Sequence, residues 1–375
     1  MALVLAVAAG RGGPARGADA WGLPLADYSS DTGFGFGAMG GLAWGQPGAW
    51  SRSDVELYLY GSTGGEQFHS IWLELADIAH LPLIVSLYGG YSSSQFDNYC
   101  GHPGEDACAT PAGEQRYAFR HTEGYGGLSA QWRLPASHWS VFGGWSGALV
   151  LAGIPRAPTP WPDSLYAEHF PDGEQGFSST MQGGVAYDTR DDEAEPSRGI
   201  WADASLRGGS SAWGSDWAFV GTNVTLRTYA PLFSERLVSA TRVGVDFVSG
   251  EQPTTDMSST GGVQGYHALG GAGFGRGIRY GRYRGQVKAL GQQELRASLF
   301  SFDVLEQPLT IGTVTFVEGG WVAHSPTELS DSAAATSTGA GLRVGWNDFM
   351  LRADLGVSPA EHWQPYVYID FDHLF

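Results

Sequence analysis

Charge is what this chain has least of: Asp, Glu, Lys and Arg make up 16 % of its 375 residues, where soluble domains carry about a quarter. Basic side chains are the scarcer kind, 21 Lys and Arg against 39 Asp and Glu, for a formal charge of −18. That balance repels polyphosphate and excludes nucleic acid as a partner. No run of 18 apolar residues occurs, so no helix spans a membrane and a membrane reading must rest on strands. Cysteine is limited to Cys100 and Cys108, eight apart in a polar segment with Gly and Pro. In an oxidising compartment they pair and clip a loop; in the cytosol they are two idle thiols. His102 lies between them, but two Cys and one His do not complete a zinc site.

Catalytic patterns are missing too. The chain has no G-x-S-x-G elbow, H-E-x-x-H pair or phosphate loop, and the spacing of its 10 His selects no triad. Gly35-Phe36-Gly37-Ala38-Met39-Gly40 fits G-x-G-x-x-G. With no helical pattern after it and no acid about 20 residues on, it reads as glycine in a strand. No enzyme activity, cofactor or metal is assigned.

What is present is glycine, 56 residues, and aromatics, 14 Trp, 16 Tyr and 18 Phe. This suits a wall facing lipid on one side, with aromatic girdles at the interfaces and glycine where strands bend. Composition alone also fits a secreted β-sandwich or propeller. The acidic excess suits loops facing a cation-bridged lipopolysaccharide surface, or plain solubility. Residues 1–20 read as a candidate signal peptide: Ala2–Ala9 are apolar and Ala18-Asp19-Ala20 offers a small-x-small cleavage site. No basic residue precedes the apolar stretch, so the signal is either weak or clipped by a wrongly placed start.

Alternation supplies the strands. In Gln286–Phe300, Val287, Ala289, Leu295, Ala297 and Leu299 face one way and Lys288, Gln292, Glu294, Arg296 and Ser298 the other. Phe349, Leu351, Ala353 and Leu355 oppose Arg352 and Asp354, and Ile200, Ala202, Ala204 and Leu206 oppose Asp203, Ser205 and Arg207. A charge at mid-bilayer depth costs about 2–4 kcal/mol in a barrel, so the charged side is the inner one. Strands are expected near 32–43, 53–61, 68–76, 82–91, 122–134, 138–152, 177–189, 198–208, 215–229, 236–249, 284–302, 309–323, 335–346, 348–357 and 365–375. That is fifteen, while a bacterial barrel with both ends periplasmic needs an even number. The sixteenth lies either before residue 32 or inside 92–121, where Arg116–His121 is a candidate. The expected fold is all-β, a transmembrane antiparallel barrel over residues 21–375 with its long connections, 92–121, 153–176 and 250–283, outside.

Five segments carry a family likeness. Gly183–Asp191 ends in Asp188-Thr189-Arg190-Asp191, followed by Pro196 and Gly199; by itself this is also an ordinary charged hairpin. Leu269-Gly270-Gly271 leads to Arg276-Gly277-Ile278 and on to Glu294-Leu295-Arg296. The other reading of that stretch is a glycine-rich basic loop in solvent, which the match of loop and following strand together disfavours. Phe316-Val317-Glu318-Gly319-Gly320 comes next, then Gly341-Leu342-Arg343 with Leu351–Gly356, and last Tyr366–Phe375, an alternating strand ending in an aromatic.

In this order the segments resemble the barrel of the BamA/TamA (bacterial surface antigen) superfamily. The resemblance covers 183–375; residues 32–182 share only its style. It implies a sixth external loop folded into the lumen, with Arg276 and Gly277 at its tip. Glu318, where the family has Asp, and Asp354 would be the acceptors, and Glu294, Arg296 and Arg343 the supporting lumen charges. Ile278 stands where the family prefers Phe or Tyr, which alters the apolar part of the contact. Asp188, Arg190, Asp191, Pro196 and Gly199 would form the hairpin motif. Phe371 and Phe375 would form the carboxy-terminal barrel signal, facing lipid with Val367 and Ile369, while Asp370 and Asp372 face inward. His373 falls on the lipid-side set, near the interface.

The resemblance further implies an integral outer-membrane protein that facilitates protein insertion or transport, using a weak seam between first and last strands. Its partners would be lipid and lipopolysaccharide, client outer-membrane proteins, and a periplasmic partner supplying the family's POTRA domains, for which the chain has no stretch. The other reading is a passive pore or structural barrel with a loop plug.

Overall fold

A computed structural model of the chain describes residues 19–45, 52–105, 107–109, 117–154, 164–193, 195–304, 307–346, 349–371 and 375. The expectations for Ala2–Ala9, Ala18, Arg116, Asp372 and His373 fall outside them.

Alternating patterns of the kind in Ile200–Arg207 produce sixteen strands. They are β1 (Asp19–Ser29), β2 (Gly33–Gly45), β3 (Arg52–Ser62), β4 (Gln67–Leu75), β5 (Leu83–Asn98), β6 (Ala118–Arg133), β7 (Trp139–Gly153) and β8 (Glu174–Asp188). Then follow β9 (Gly199–Gly209), β10 (Phe219–Leu232), β11 (Ser234–Gly250), β12 (Val287–Val304), β13 (Gln307–Ala323), β14 (Ser332–Trp346), β15 (Phe349–Val357) and β16 (Tyr366–Phe371). Each pairs antiparallel with its chain neighbours and β1 meets β16, so the sheet closes into a barrel with strands in sequence order.

The strand missing from the sequence reading is β1, in the first of the two places considered; Ala118–His121 is the start of β6. Asp19 and Ala20, assigned to the candidate cleavage site, are its first residues.

Side chains sort as expected. On β12, Lys288, Gln292, Glu294 and Arg296 are buried, while Leu295 and Leu299 are exposed. Across the wall the outward set stays uncovered: Leu206, Val220, Val317 and Leu342 are among the most exposed residues, at 58–66 %. So large an apolar belt would drive aggregation in water and is solvated by acyl chains. Trp139 and Trp132 lie outward where β6 and β7 meet, beside the short turn 134–138. The β5–β6, β7–β8 and β11–β12 connections all lie on the rim opposite the chain's end, which is the external rim.

Candidate functional site

The site begins with three carboxylates that strand alternation turns inward: Glu294 of β12, Glu318 of β13 and Asp354 of β15, each at most 2 % exposed. Register brings the first two together, since Glu294 faces Phe316 and Gln292 faces Glu318 across the β12–β13 pair. Three buried anions need compensation, because each costs several kcal/mol to desolvate.

Compensation comes from the β11–β12 connection, the sixth on the external rim. Glu318 accepts from the Arg276 backbone N–H (2.6 Å), from Nε (2.9 Å) and from Nη2 (2.6 Å). Nη2 also donates to Glu294 (2.6 Å) and Nη1 to Asp354 (2.8 Å). The guanidinium lies 3.5 Å over the Phe316 ring. Burial alone would lower the pKa of Arg276, but Glu318, Glu294 and Asp354 outweigh it and hold the group above its ordinary value. Arg296 pairs with Glu294 (2.9 Å), Arg343 with Asp354 (2.7 Å) and Arg352 with Asp354 (3.5 Å) and Asp370 (2.5 Å). Four guanidiniums thus face four carboxylates, which leaves the cluster neutral and multiply bonded.

Glycine sets how closely the connection approaches the wall. Gly277 has φ +98°, and a Cβ there would meet the Val357 nitrogen at 2.4 Å; one on Gly356 would meet the Arg276 carbonyl oxygen at 2.4 Å. The Gly277 N–H points at the Tyr368 hydroxyl of β16 (3.4 Å).

Glu318, Asp354, Arg276 and Gly277 lie together here, and the two Glu318 oxygens take the backbone and the side chain of Arg276. Glu294 was expected as a supporting charge and is a direct partner. Ile278 is fully buried with Leu269, Phe274, Tyr283, Leu290, Val322 and Ala335, so an aliphatic side chain fills that core position.

Two further arginines of the same connection were missed: Arg282 pairs with Glu361 (2.7 Å) and Arg284 with Asp97 of β5 (2.8 Å). Their signal was the Arg-x-x-Arg-x-Arg spacing of 279–284. Arg242 of β11 is also buried, donating to the Gly273 carbonyl (2.9 Å).

The hairpin motif divides its work. Arg190 forks onto Asp188 (3.0 and 2.8 Å), whereas Asp191 accepts from the Ser197 and Arg198 N–H groups (2.9 and 3.1 Å) across the turn. Burial raises the Asp191 pKa, but the hydrogen bond from the Ser197 hydroxyl, together with those from the Arg198 and Ser197 N–H groups, pulls it below its usual value. Pro196 is buried, and Gly199 has φ +108° with no room for a Cβ beside the Thr189 carbonyl oxygen (2.3 Å).

The last residue corrects an expectation. Val367, Ile369 and Phe371 do occupy the outer face, but Phe375 turns inward, 6 % exposed against Tyr229, Val238 and Ala240. Arg242 and Arg296 lie 4.8 and 4.9 Å from its ring, and Arg296 donates to its carbonyl (2.7 Å). Two otherwise crowded guanidiniums gain an aromatic face there, which lipid does not offer.

The seam is short. Among the described residues β1 meets β16 at two register positions, Tyr28 with Ile369 and Ser29 with Tyr368, while β1 meets β2 at eleven. Ser30 adds a backbone bond to Val367 (3.0 Å).

Comparison with known families gives a match to the Omp85 superfamily domain over residues 155–371. The chain belongs to the Omp85 superfamily. Solved structures of similar fold include BamA from Haemophilus ducreyi lacking POTRA domains 1–3, at 14 % identity and TM-score 0.60, with 96 % of this chain and 70 % of that one covered. CdiB from Escherichia coli is similar at 12 % identity and TM-score 0.62, covering 98 % and 66 %, and CdiB from Acinetobacter baumannii at 14 % and 0.52, covering 94 % and 59 %. The chain thus spans between 59 and 70 % of the length of these proteins. Comparison with curated proteins finds no match. As an Omp85 barrel of sixteen closed strands it is an integral outer-membrane protein, of a superfamily serving protein insertion or transport rather than catalysis.

The pair Cys100–Cys108 is a disulfide, Cα–Cα 5.1 Å, in the external β5–β6 connection.

Proposed function

We propose that this Omp85 barrel assists client outer-membrane proteins in entering or crossing the membrane, with the β1–β16 seam as the opening edge. The register of the seam, two positions among the described residues, carries the reading. A strand edge left without a partner offers unpaired N–H and C=O groups on which an incoming strand can form. The sixth external connection would lie in the lumen, locked by Arg276 and Gly277 on Glu318, Glu294 and Asp354, with Arg296 and Arg343 balancing the acids. Phe371 and Phe375 would serve as the carboxy-terminal barrel signal. Lipid and lipopolysaccharide would surround the wall, and a periplasmic partner would supply client delivery. Asp188, Arg190, Asp191, Pro196 and Gly199 would shape the periplasmic hairpin.

Liposomes carrying the purified chain should fold a second, urea-denatured barrel faster than empty liposomes of the same lipid. Equal rates would remove the assembly reading. Two cavities, about 630 Å³ lined by Asp27, Glu66 and Glu123 and about 900 Å³ lined by Asp54, Glu74 and Gln182, favour a second reading as a pore. In a planar bilayer Arg276→Gly should then enlarge the open state; unchanged conductance would count against a lumen lock.

A further inference from the structure

Two external connections from opposite sides of the barrel meet over its mouth. The β5–β6 connection, 99–117, and the β13–β14 connection, 324–331, are eight strands apart on a ring of sixteen. Inside the disulfide clip of the first lies His102; in the second lie His324 and Asp331. His102 Nδ1 is 3.2 Å from Asp331 Oδ2, and the His102 and His324 rings stack with centroids 3.6 Å apart. One ligand atom from each residue lies within 4.8 Å of the others, and all three residues are partly buried.

Stacked imidazoles do not aim their lone pairs at one point, but two nitrogens and an oxygen already lie within 4.8 Å of one another, and a turn of one ring out of the stack would let all three surround one ion. At zinc–nitrogen and zinc–oxygen distances of about 2.0–2.2 Å, tetrahedral ligands sit roughly 3.3–3.5 Å apart. The His102–Asp331 pair is at 3.2 Å already. The carboxylate is held by an outer bond of the kind that orients metal ligands: the Gly104 N–H donates to Asp331 Oδ1 at 2.8 Å, leaving Oδ2 toward the rings. The His324 N–H donates to the Asp331 carbonyl (2.9 Å), which fixes the two ligands of that connection relative to each other. His169, near His102, is engaged by the Tyr99 hydroxyl at 2.8 Å.

We propose that His102, His324 and Asp331 bind a zinc-class divalent ion, stapling the two connections across the external mouth. Imidazole donors select zinc-like ions over calcium and magnesium, which prefer all-oxygen sites. Three protein ligands leave a fourth position for water or for Glu328, whose carboxylate is 3.7 Å from His324 Nε2.

The test uses the full chain in nanodiscs, titrated with Co²⁺ and followed by visible absorption. One Co²⁺ per chain in a tetrahedral spectrum, displaced by Zn²⁺, is the expected result. His324→Ala and Asp331→Asn should each weaken uptake by at least about tenfold, and the exposed His80→Ala should leave it unchanged. Zn²⁺ should also slow deuterium exchange of 99–105 and 324–331 in the unaltered chain, a readout independent of how any variant folds. Absence of saturable uptake, full uptake in His324→Ala, or exchange indifferent to Zn²⁺ would each overturn the site.

Discussion

At the scale of single residues, Arg276 bonds three acids at once, Glu318, Glu294 and Asp354. Arg276→Ala leaves Glu318 and part of the Glu294 and Asp354 charge unpaired, and breaking a buried ion pair from one side costs about 3–5 kcal/mol. The unfolding midpoint in detergent should fall accordingly, by more than in Glu318→Gln, which keeps a hydrogen-bonding oxygen. Equal stability of Arg276→Ala and the unaltered chain would show that the cluster contributes nothing net. Gly277→Ala tests the close approach separately, since its Cβ would sit 2.4 Å from a backbone nitrogen that has no flexible end to move. Limited proteolysis should then cut the β11–β12 connection at least about tenfold faster, as expected for a loss of more than about 1.4 kcal/mol.

Arg276, Glu318 and Asp354 were legible because family motifs named them. Glu294 was legible as an inward charge only, since alternation reports a face and not a partner. Phe375 was misread for the same reason: period-two patterning says nothing of a terminal residue with guanidiniums beside it.

At the scale of elements, fifteen strands were readable because inward charges on one face carry a large penalty if turned to lipid. The first strand escaped because Pro24 lowers its strand signal and its start overlapped the candidate signal. That strand forms one side of the seam. Cysteines at the register partners Tyr28 and Ile369, in a chain with Cys100→Ser and Cys108→Ser, should form a cross-link that halts assisted insertion. Reductant should restore it. Undiminished insertion with the cross-link complete would mean that the seam is not the working edge.

At the scale of the whole molecule, acidity gathers where external connections meet the cavity of about 630 Å³. Burial raises the carboxyls of Asp31, Glu66 and Asp256 to about 7, reinforced for Glu66 by Asp97 and Asp31 and for Asp256 by Glu123. Such groups favour the fold while protonated, so their contribution is full below the ordinary carboxylate range and is lost as pH rises through about 7. Ionising together, they also make the mouth more negative. Reversal potentials in a KCl gradient should therefore shift toward cation preference between about pH 6 and pH 8; a flat response would show these carboxyls already charged. None of this was readable in sequence, because Asp31, Glu66 and Asp256 come from three separate connections that only barrel closure brings to one cavity.

The Tyr368 hydroxyl faces Gly277 from the very strand that closes the barrel. Peeling that strand away removes the cap from the amide, and unlatching the amide deprives the strand of an anchor. The two movements therefore share one free energy, and anything that binds to favour either must favour the other by the same factor.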